Sequence, residues 1–196
     1  MNAAAEQKAI LRQGVCAQIA AVTPEQRAVE SGRVVAAISG SKVWRQAHTV
    51  MLFVPLRDEI DVLPLLDEAL GHHKTVLLPR FDPVSACYQP ARVSNLATDI
   101  VPGPHGVAEP AIHCATHPLK PLDVTLVPGL AFDRVGRRLG RGKGHYDRLL
   151  ADAGGQFWGV GFECQLLLEV PFEPHDVVLN CIVTPAHWVE VVAGRR

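Results

Sequence analysis

The sequence predicts an α/β fold, a single-domain three-layer sandwich in which a largely parallel sheet is flanked by helices. Compact apolar runs with β-branched residues predict buried strands, and predicted helices lie between several of them. Strands that are buried on both faces and separated by helices are typical of parallel sheets. Such sheets bind ligands at the carboxyl ends of their strands. The predicted strands are HTVMLFVP (48–55), KTVLLPR (74–80), DVTLVPG (123–129), QFWGVGF (156–162) and CIVTP (181–185).

Capping and stop signals place the helices. Thr23 is a good N-cap, Pro24 suits the first helical position, and Gln26 completes a capping box. Residues 81–122 are rich in Pro and His, so we expect loops there, with at most one short strand near 86–93. The predicted helices span 3–21, 23–39, 61–71 and 143–155.

Composition excludes several classes of protein. The 196 residues suit one domain, predicted to span 1–196, and 19 Lys and Arg against 20 Asp and Glu leave no global basic field for nucleic acid. The five cysteines contain no C-x-x-C spacing, which argues against a disulfide framework or a structural zinc site.

His113, Cys114 and His117 have a spacing that a metal allows, but no fourth ligand is evident. Without a long apolar run or a secretory signal we expect a cytoplasmic protein, with no membrane or obligate protein partner.

The most informative segment is VPGLAFDRVGRRLGRGKGHYDRLL (127–150), which predicts a strand, a long loop and then a helix. Glycines let backbone N–H groups approach a ligand, arginines supply planar bidentate donors, and a helix adds its positive amino-terminal end. Together these features predict a polyphosphate site. The loop contains Gly136, Gly140, Gly142 and Gly144, interleaved with Arg137, Arg138, Arg141 and Lys143.

Spacing excludes the two usual nucleotide loops. A P-loop would need glycine in place of Arg137 and Ser or Thr in place of Gly144. A dinucleotide fingerprint starting at Gly140 would need glycine in place of His145. Composition alone leaves a solvated basic turn and weak nucleic-acid binding open as alternatives, whereas the strand–loop–helix setting favours phosphate.

The run G-x-R-L-G-R-G-K-G-x-Y-D at 136–147 resembles the signature of 5-formyltetrahydrofolate cyclo-ligases, also called methenyltetrahydrofolate synthetases. The chain departs from the family pattern at His145, where an aromatic residue, often Tyr, is usual, and at Asn180, where Asp is common. Neither departure removes a proposed phosphate or metal ligand. Shorter matches follow in family order across nearly the whole chain: Lys8 and Arg12, then 58–60, 78–80, 109–110, 127–133, 170–171, 175–176 and 183–184.

The resemblance implies an ATP-dependent ring closure. The formyl oxygen of 5-formyltetrahydrofolate attacks the γ-phosphate of ATP, and the neighbouring folate nitrogen then attacks the phosphorylated imidate. The products are 5,10-methenyltetrahydrofolate, ADP and phosphate. ATP and a reduced folate are therefore the expected ligands, and Mg²⁺ is the expected cofactor. Such chemistry needs positioning and charge neutralisation rather than a protein nucleophile.

Matched position by position, the resemblance also implies individual roles. Catalysis would depend on Arg141 and Lys143. The folate would contact Val54, Glu59 and His145. Mg²⁺ would bind Asp147 and Asp176, because oxygen ligands suit this ion. ATP would bind Lys8, Arg12, Arg138, Gly140, Arg141, Gly142, Lys143, Gly144 and Tyr146.

Several alternatives stay open. Lys8 and Arg12 could form a solvated helix face, Asp147 could be a partner of the helix dipole, and Glu59 could be a surface acid beside Arg57. The whole chain could instead be a related Mg-ATP-dependent enzyme for another formyl or carboxylate substrate, or a non-catalytic nucleotide-binding module. An RNA-binding module is disfavoured, because the loop lacks the interleaved aromatic residues that base stacking needs.

Overall fold

The computed structural model describes residues 3–192. The α-helices in this range are α1 (Ala3–Ala21), α2 (Pro24–Gly40), α3 (Lys42–Gln46), α4 (Leu63–Gly71), α5 (Leu96–Asp99) and α6 (His145–Ala151). The first six strands are β1 (Thr49–Met51), β2 (Thr75–Asp82), β3 (Cys87–Val93), β4 (Ile100–Pro102), β5 (Ala108–Pro110) and β6 (Val124–Pro128). The others are β7 (Ala131–Asp133), β8 (Arg138–Leu139), β9 (Gln156–Val160), β10 (Leu166–Leu167), β11 (Cys181–Val183) and β12 (Trp188–Glu190). Short 3₁₀ helices cover Pro104–Gly106 and Glu163–Gln165.

Seven strands form the central sheet, in the order β12-β11-β9-β6-β1-β2-β3. The strands from β11 to β2 run parallel, while β3 and β12 are antiparallel edge strands. Val50 of β1 pairs with Val124 of β6, so the predicted apolar runs lie side by side. The predicted α/β fold with a largely parallel sheet flanked by helices is confirmed.

Helices cover both faces of this sheet. Successive residues of a strand point to opposite faces, and β1 shows both environments. Val50 belongs to the large core cluster that includes Ile19 of α1 and Ile38 of α2. Its neighbour Met51 packs in a separate cluster with Leu149 of α6. Burial on both faces explains why these strands are continuously apolar rather than alternating.

Several predicted boundaries differ from the structure. The predicted helix 143–155 is limited to His145–Ala151, because Gly142 and Gly144 have positive φ angles of 100° and 63° that do not continue a helix. The predicted strand 48–55 pairs only over Thr49–Met51 before the chain leaves the sheet towards the site. The predicted capping box is present, since the Gln26 N–H donates to Thr23 Oγ1 at 3.2 Å.

The short strand expected near 86–93 is confirmed as β3, but the rest of 81–122 contains more regular structure than the loops that were expected there. Strand β2 continues to Asp82 and pairs along its length with β3, and β4 pairs with β5 in an antiparallel hairpin. Pro79 and Pro90 face each other in the β2–β3 ladder, and proline weakens a strand signal. The proline is tolerated in β3 because that strand lies at the sheet edge. The short elements α3, β7, β8, β10 and β12 were not predicted either.

The carboxyl ends of β1, β2 and β6 lead into segments that surround one cleft. This is the end of a parallel sheet at which ligands are expected. Among the helices described between residues 3 and 192, none is both long and apolar enough to cross a membrane.

Candidate active site

A cleft of about 580 Å³ opens at the carboxyl ends of the strands. Every residue that the sequence predicted for ATP, folate or metal binding lines it, although these residues come from distant parts of the chain. One side, the basic half, consists of Lys8, Arg12, Arg138, residues 140–144, Asp147, Glu173 and Asp176. The other side, the aromatic half, consists of Val54, Glu59, Tyr88, His145 and Tyr146.

The glycine loop is shaped by its glycines and held by the first helix. Arg12 Nε donates to the carbonyl oxygen of Gly140 at 3.0 Å. A Cβ at Gly140 would lie 2.8 Å from Arg138 Nη1, and Gly142 needs its positive φ of 100°. Arg12 is thus tied to the loop rather than placed on a solvated helix face. Arg141 and Lys143 are exposed residues of the same loop.

Arg138 and Asp147 form a shielded ion pair at the base of the loop. Arg138 Nη2 lies 2.8 Å from Asp147 Oδ1, and the side chains are 5% and 18% exposed. The Arg138 guanidinium also lies 5.7 Å from the ring centre of Tyr146, a cation–π contact. Its Nε–H is buried and has no acceptor among the described residues. The guanidinium therefore organises the basic half as well as adding positive charge to it.

Lys8 is the second buried cation of the basic half. Its Nζ lies 2.6 Å from Asp176 Oδ2 and 2.8 Å from Glu173 Oε2, and its side chain is 7% exposed. Burial alone would lower the pKa of Lys8, but the hydrogen bonds and charges of the two carboxylates raise it overall. Glu173, His175 and Asp176 each place a possible metal-ligand atom within 4.8 Å of the others. Glu173 was not predicted from the sequence.

Glu59 is a buried carboxylate at the boundary between the halves. Burial raises the pKa of Glu59 above its ordinary value, although the Leu56 N–H and Arg141 oppose this shift. Glu59 Oε2 accepts from the Leu56 N–H at 3.0 Å. Arg141 Nη2 approaches Glu59 Oε1 at 3.3 Å and Asp58 Oδ1 at 2.7 Å. Glu59 is therefore no surface acid, and the basic loop reaches across the cleft to it.

The rings of the aromatic half are carried by β3 and α6. The ring centres of Tyr88 and His145 lie 5.1 Å apart at 68°, and Phe81 contacts His145 at 5.5 Å and 72°. Tyr88 also lies 6.2 Å from Tyr146, whose pKa is raised by burial. Arg148 Nη2 lies 2.8 Å from His145 Nδ1. Because a guanidinium only donates, this nitrogen of His145 is the acceptor.

The sequence reasoning missed Tyr88, because the strand that carries it was only weakly predicted. Asn180, the other departure from the family pattern, lies outside the cleft and supports the sheet, since its Oδ1 accepts from the Phe157 N–H at 2.8 Å. Of the possible metal ligands His113, Cys114 and His117, the first two lie near each other and near Asp99, with possible ligand atoms within 4.8 Å, whereas His117 does not join them. His113 contacts Asp99, whereas His117 Nδ1 contacts the carbonyl oxygen of Pro118.

Comparisons with known proteins find one family by sequence and a similar fold by structure. Residues 4–185 match the model of the 5-formyltetrahydrofolate cyclo-ligase family. The chain is 32% identical to 5-formyltetrahydrofolate cyclo-ligase of Escherichia coli K12, over 85% of this chain and 93% of that protein. It is 37% identical to the enzyme of that name from Mycolicibacterium smegmatis, over 78% of this chain and 80% of that protein. The structure of Aquifex aeolicus 5,10-methenyltetrahydrofolate synthetase is similar, with a TM-score of 0.86, 29% identity and coverage of 96% and 95%.

Proposed function

Because the chain belongs to the 5-formyltetrahydrofolate cyclo-ligase family, we propose that it catalyses the ATP-dependent cyclisation of 5-formyltetrahydrofolate to 5,10-methenyltetrahydrofolate, with release of ADP and phosphate. One observation carries the proposal. Arg141 of the basic loop lies 3.3 Å from Glu59 of the aromatic half, so the two halves are in direct contact. A folate held by Glu59 and a phosphate chain held by the loop would therefore be neighbours.

The reaction makes and breaks bonds in two steps. The formyl oxygen forms a bond to the γ-phosphorus, and the bond from that phosphorus to the bridging oxygen of ADP breaks. The neighbouring folate nitrogen then attacks the activated formyl carbon, the C–O bond breaks as phosphate leaves, and the proton of that nitrogen is taken up by the departing phosphate. No protein atom forms a covalent bond, so the protein acts by positioning and by electrostatic stabilisation.

The basic half supplies the positive charge for the first step. Arg141 and Lys143 are the exposed cations of the loop and are assigned the catalytic role of neutralising charge on the transferred phosphoryl group. Arg12 and the N–H groups of Gly140, Gly142 and Gly144 complete the ATP contacts. Lys8 and Arg138 lie deeper in the basic half and add positive charge there, although each is already paired with a carboxylate.

The aromatic half holds the folate. Glu59 is assigned as acceptor for N–H donors of the pterin ring, and its burial strengthens such a hydrogen bond. Val54, His145 and the ring of Tyr88 provide apolar and aromatic surface in the same part of the cleft. Tyr146 lies between the halves, in contact with both Tyr88 and Arg138.

The proposal includes Mg²⁺, which the residues of the basic half suit. Asp147 and Asp176 line the cleft, and each already accepts from a cation, Arg138 or Lys8. These are positions at which the protein stabilises positive charge, and carboxylate oxygens are the preferred ligands of this ion. Asp147 and Asp176 would hold Mg²⁺, which would neutralise part of the negative charge of the phosphates.

Chelation tests the metal assignment. Excess chelator should abolish turnover, and added Mg²⁺ should restore it. Calorimetry should show ATP binding weakened without the metal in the wild type, and Asp176→Asn should reduce this dependence on Mg²⁺. Equal ATP affinity and undiminished turnover in chelator would contradict the assignment.

The decisive experiment mixes the protein with Mg-ATP and 5-formyltetrahydrofolate and follows the absorbance of the methenyl product. Phosphate release should require the folate. Release of phosphate only with another formyl or carboxylate compound would favour a related enzyme, and ATP binding without any release would favour a non-catalytic module. A cytoplasmic location and the lack of nucleic-acid, membrane or obligate protein partners stay predictions.

A further inference from the structure

Arg141 has two acidic neighbours, and they differ in surroundings. Its Nη2 lies 2.7 Å from Asp58 Oδ1 and 3.3 Å from Glu59 Oε1. The side chain of Glu59 is 11% exposed, whereas Asp58 and Arg141 are each 41% exposed. The shorter contact is therefore made by the carboxylate that lies nearer to solvent, and Asp58 does not line the cleft.

Binding of the folate should change the contact of Arg141 with Glu59 more than its contact with Asp58. Glu59 Oε2 accepts from the Leu56 N–H at 3.0 Å, whereas Oε1 has the longer 3.3 Å contact with Arg141, so Oε1 is the oxygen that an N–H donor of the folate can take over more readily. A pterin donor at that oxygen would weaken or replace the 3.3 Å contact. Asp58 would keep its own contact, because it lies outside the cleft lining.

From this geometry we propose that Asp58 is a positioning residue, which anchors the Arg141 guanidinium at the boundary of the two halves while Glu59 binds the folate. The inference rests on the proposed function and adds a residue to it. One nitrogen of the guanidinium donates to Asp58, and the remaining N–H groups are available to the transferred phosphoryl group. Holding a charged group in a fixed place lowers the barrier without reorganisation during the reaction.

Asp58→Asn removes the charge of the anchor and keeps its size. We expect kcat to fall about tenfold, because a small displacement of a positioned group has a large effect on rate. The KM for the folate should stay within about twofold of the wild type, since Glu59 is intact. Asp58→Glu should recover much of the rate. The matched control is Asp67→Asn, which removes an exposed carboxylate of α4 outside the cleft and should leave kcat unchanged.

A double-mutant cycle separates positioning from a general structural effect. In an Arg141→Ala background, Asp58→Asn should cause little further loss, because the group that it positions is absent. Additive losses in the cycle, or an Asp58→Asn variant that behaves like Asp67→Asn, would overturn the inference. Melting temperatures of all variants identify any loss that comes from misfolding.

A measurement on the guanidinium itself does not depend on turnover. With ¹⁵N-labelled arginine, the Arg141 side-chain signal can be assigned by its loss in Arg141→Lys. Its rotation should be restricted in the wild type and in Asp67→Asn, and freer in Asp58→Asn. Equal mobility in all three proteins would refute the anchor, whereas a wild type that forms no methenyl product would refute the proposed function and leave this measurement valid.

Discussion

The two halves of the cleft differ in how far their buried charges are paired with opposite charges. In the basic half, buried cations face carboxylates from other parts of the chain, as in the Lys8–Asp176 and Arg138–Asp147 pairs. In the aromatic half the side chain of Glu59 is only 11% exposed, and burial raises its pKa, although Arg141 and the Leu56 N–H oppose this shift. The basic half is thus compensated before any ligand binds, while the aromatic half carries a charge whose burial is only partly compensated.

This difference predicts which residues of the site stabilise the fold and which mainly bind ligand. A buried ion pair becomes strongly unfavourable when one partner is removed, because the other charge stays buried. A buried carboxylate with few donors, by contrast, destabilises the fold and gains from a ligand that donates to it. Substitutions at the base of the basic half should therefore affect folding, and those in the aromatic half should affect affinity.

The largest effect is expected for Arg138→Met. The change leaves Asp147 shielded without its guanidinium and removes the contact with Tyr146. Loss of one partner of a buried pair lowers the free energy of unfolding by about 3 kcal/mol. Urea denaturation measures this loss, and turnover should fall with it. The double variant Arg138→Met/Asp147→Asn should be less destabilised than Arg138→Met; unchanged stability of the single variant would contradict the description of this pair.

Lys143→Ala should affect function and leave the fold intact. Lys143 is an exposed residue of the loop, so its removal leaves no buried charge behind. Loss of one charge-assisted contact to phosphate lowers transition-state stabilisation by about 1.5–3 kcal/mol. kcat/KM for ATP measures this, and the melting temperature should hardly change. Lys42→Ala, an exposed lysine of α3 outside the cleft, is the control. Wild-type kinetics for Lys143→Ala would identify the loop as a solvated turn.

The same contrast explains what the sequence could predict. The glycine loop is contiguous, so its residue types and spacing lie within one short window, and it follows a strand whose apolar run is clear. The aromatic half brings together β3, α6 and the segment after β1, which are far apart in the chain. Tyr88 lies on an edge strand with a proline, whose propensity signal is weak. The pairing of Lys8 with Asp176 joins residues 168 positions apart, which no local pattern reveals.

Glu59→Gln tests the aromatic half directly. The substitution keeps the size of the side chain and replaces one acceptor oxygen with a donor, which cannot accept from a pterin N–H. Folate affinity should fall by about 1.5 kcal/mol, which is about tenfold, while ATP affinity stays near that of the wild type. Equilibrium titrations with each ligand measure both. Equal weakening of the two affinities would contradict a role that is specific to the folate.

The smallest effect is a change of stability with pH, and its sign follows from the raised pKa of Glu59. Between the ordinary value of 4.5 and the raised value, the folded protein binds more protons at this carboxyl than the unfolded chain does. The stability that the protonated carboxyl contributes is fully present below the ordinary pKa and is lost as pH rises through the raised one. The free energy of unfolding of the wild type, minus that of Glu59→Gln, should therefore decrease across this window and stay constant above it.

Urea denaturation at several pH values measures the difference, and the same subtraction with Asp67→Asn, an exposed carboxylate, is the control. A difference that increases with pH would mean that Arg141 and the Leu56 N–H outweigh burial, and that the aromatic half is compensated in the same way as the basic half.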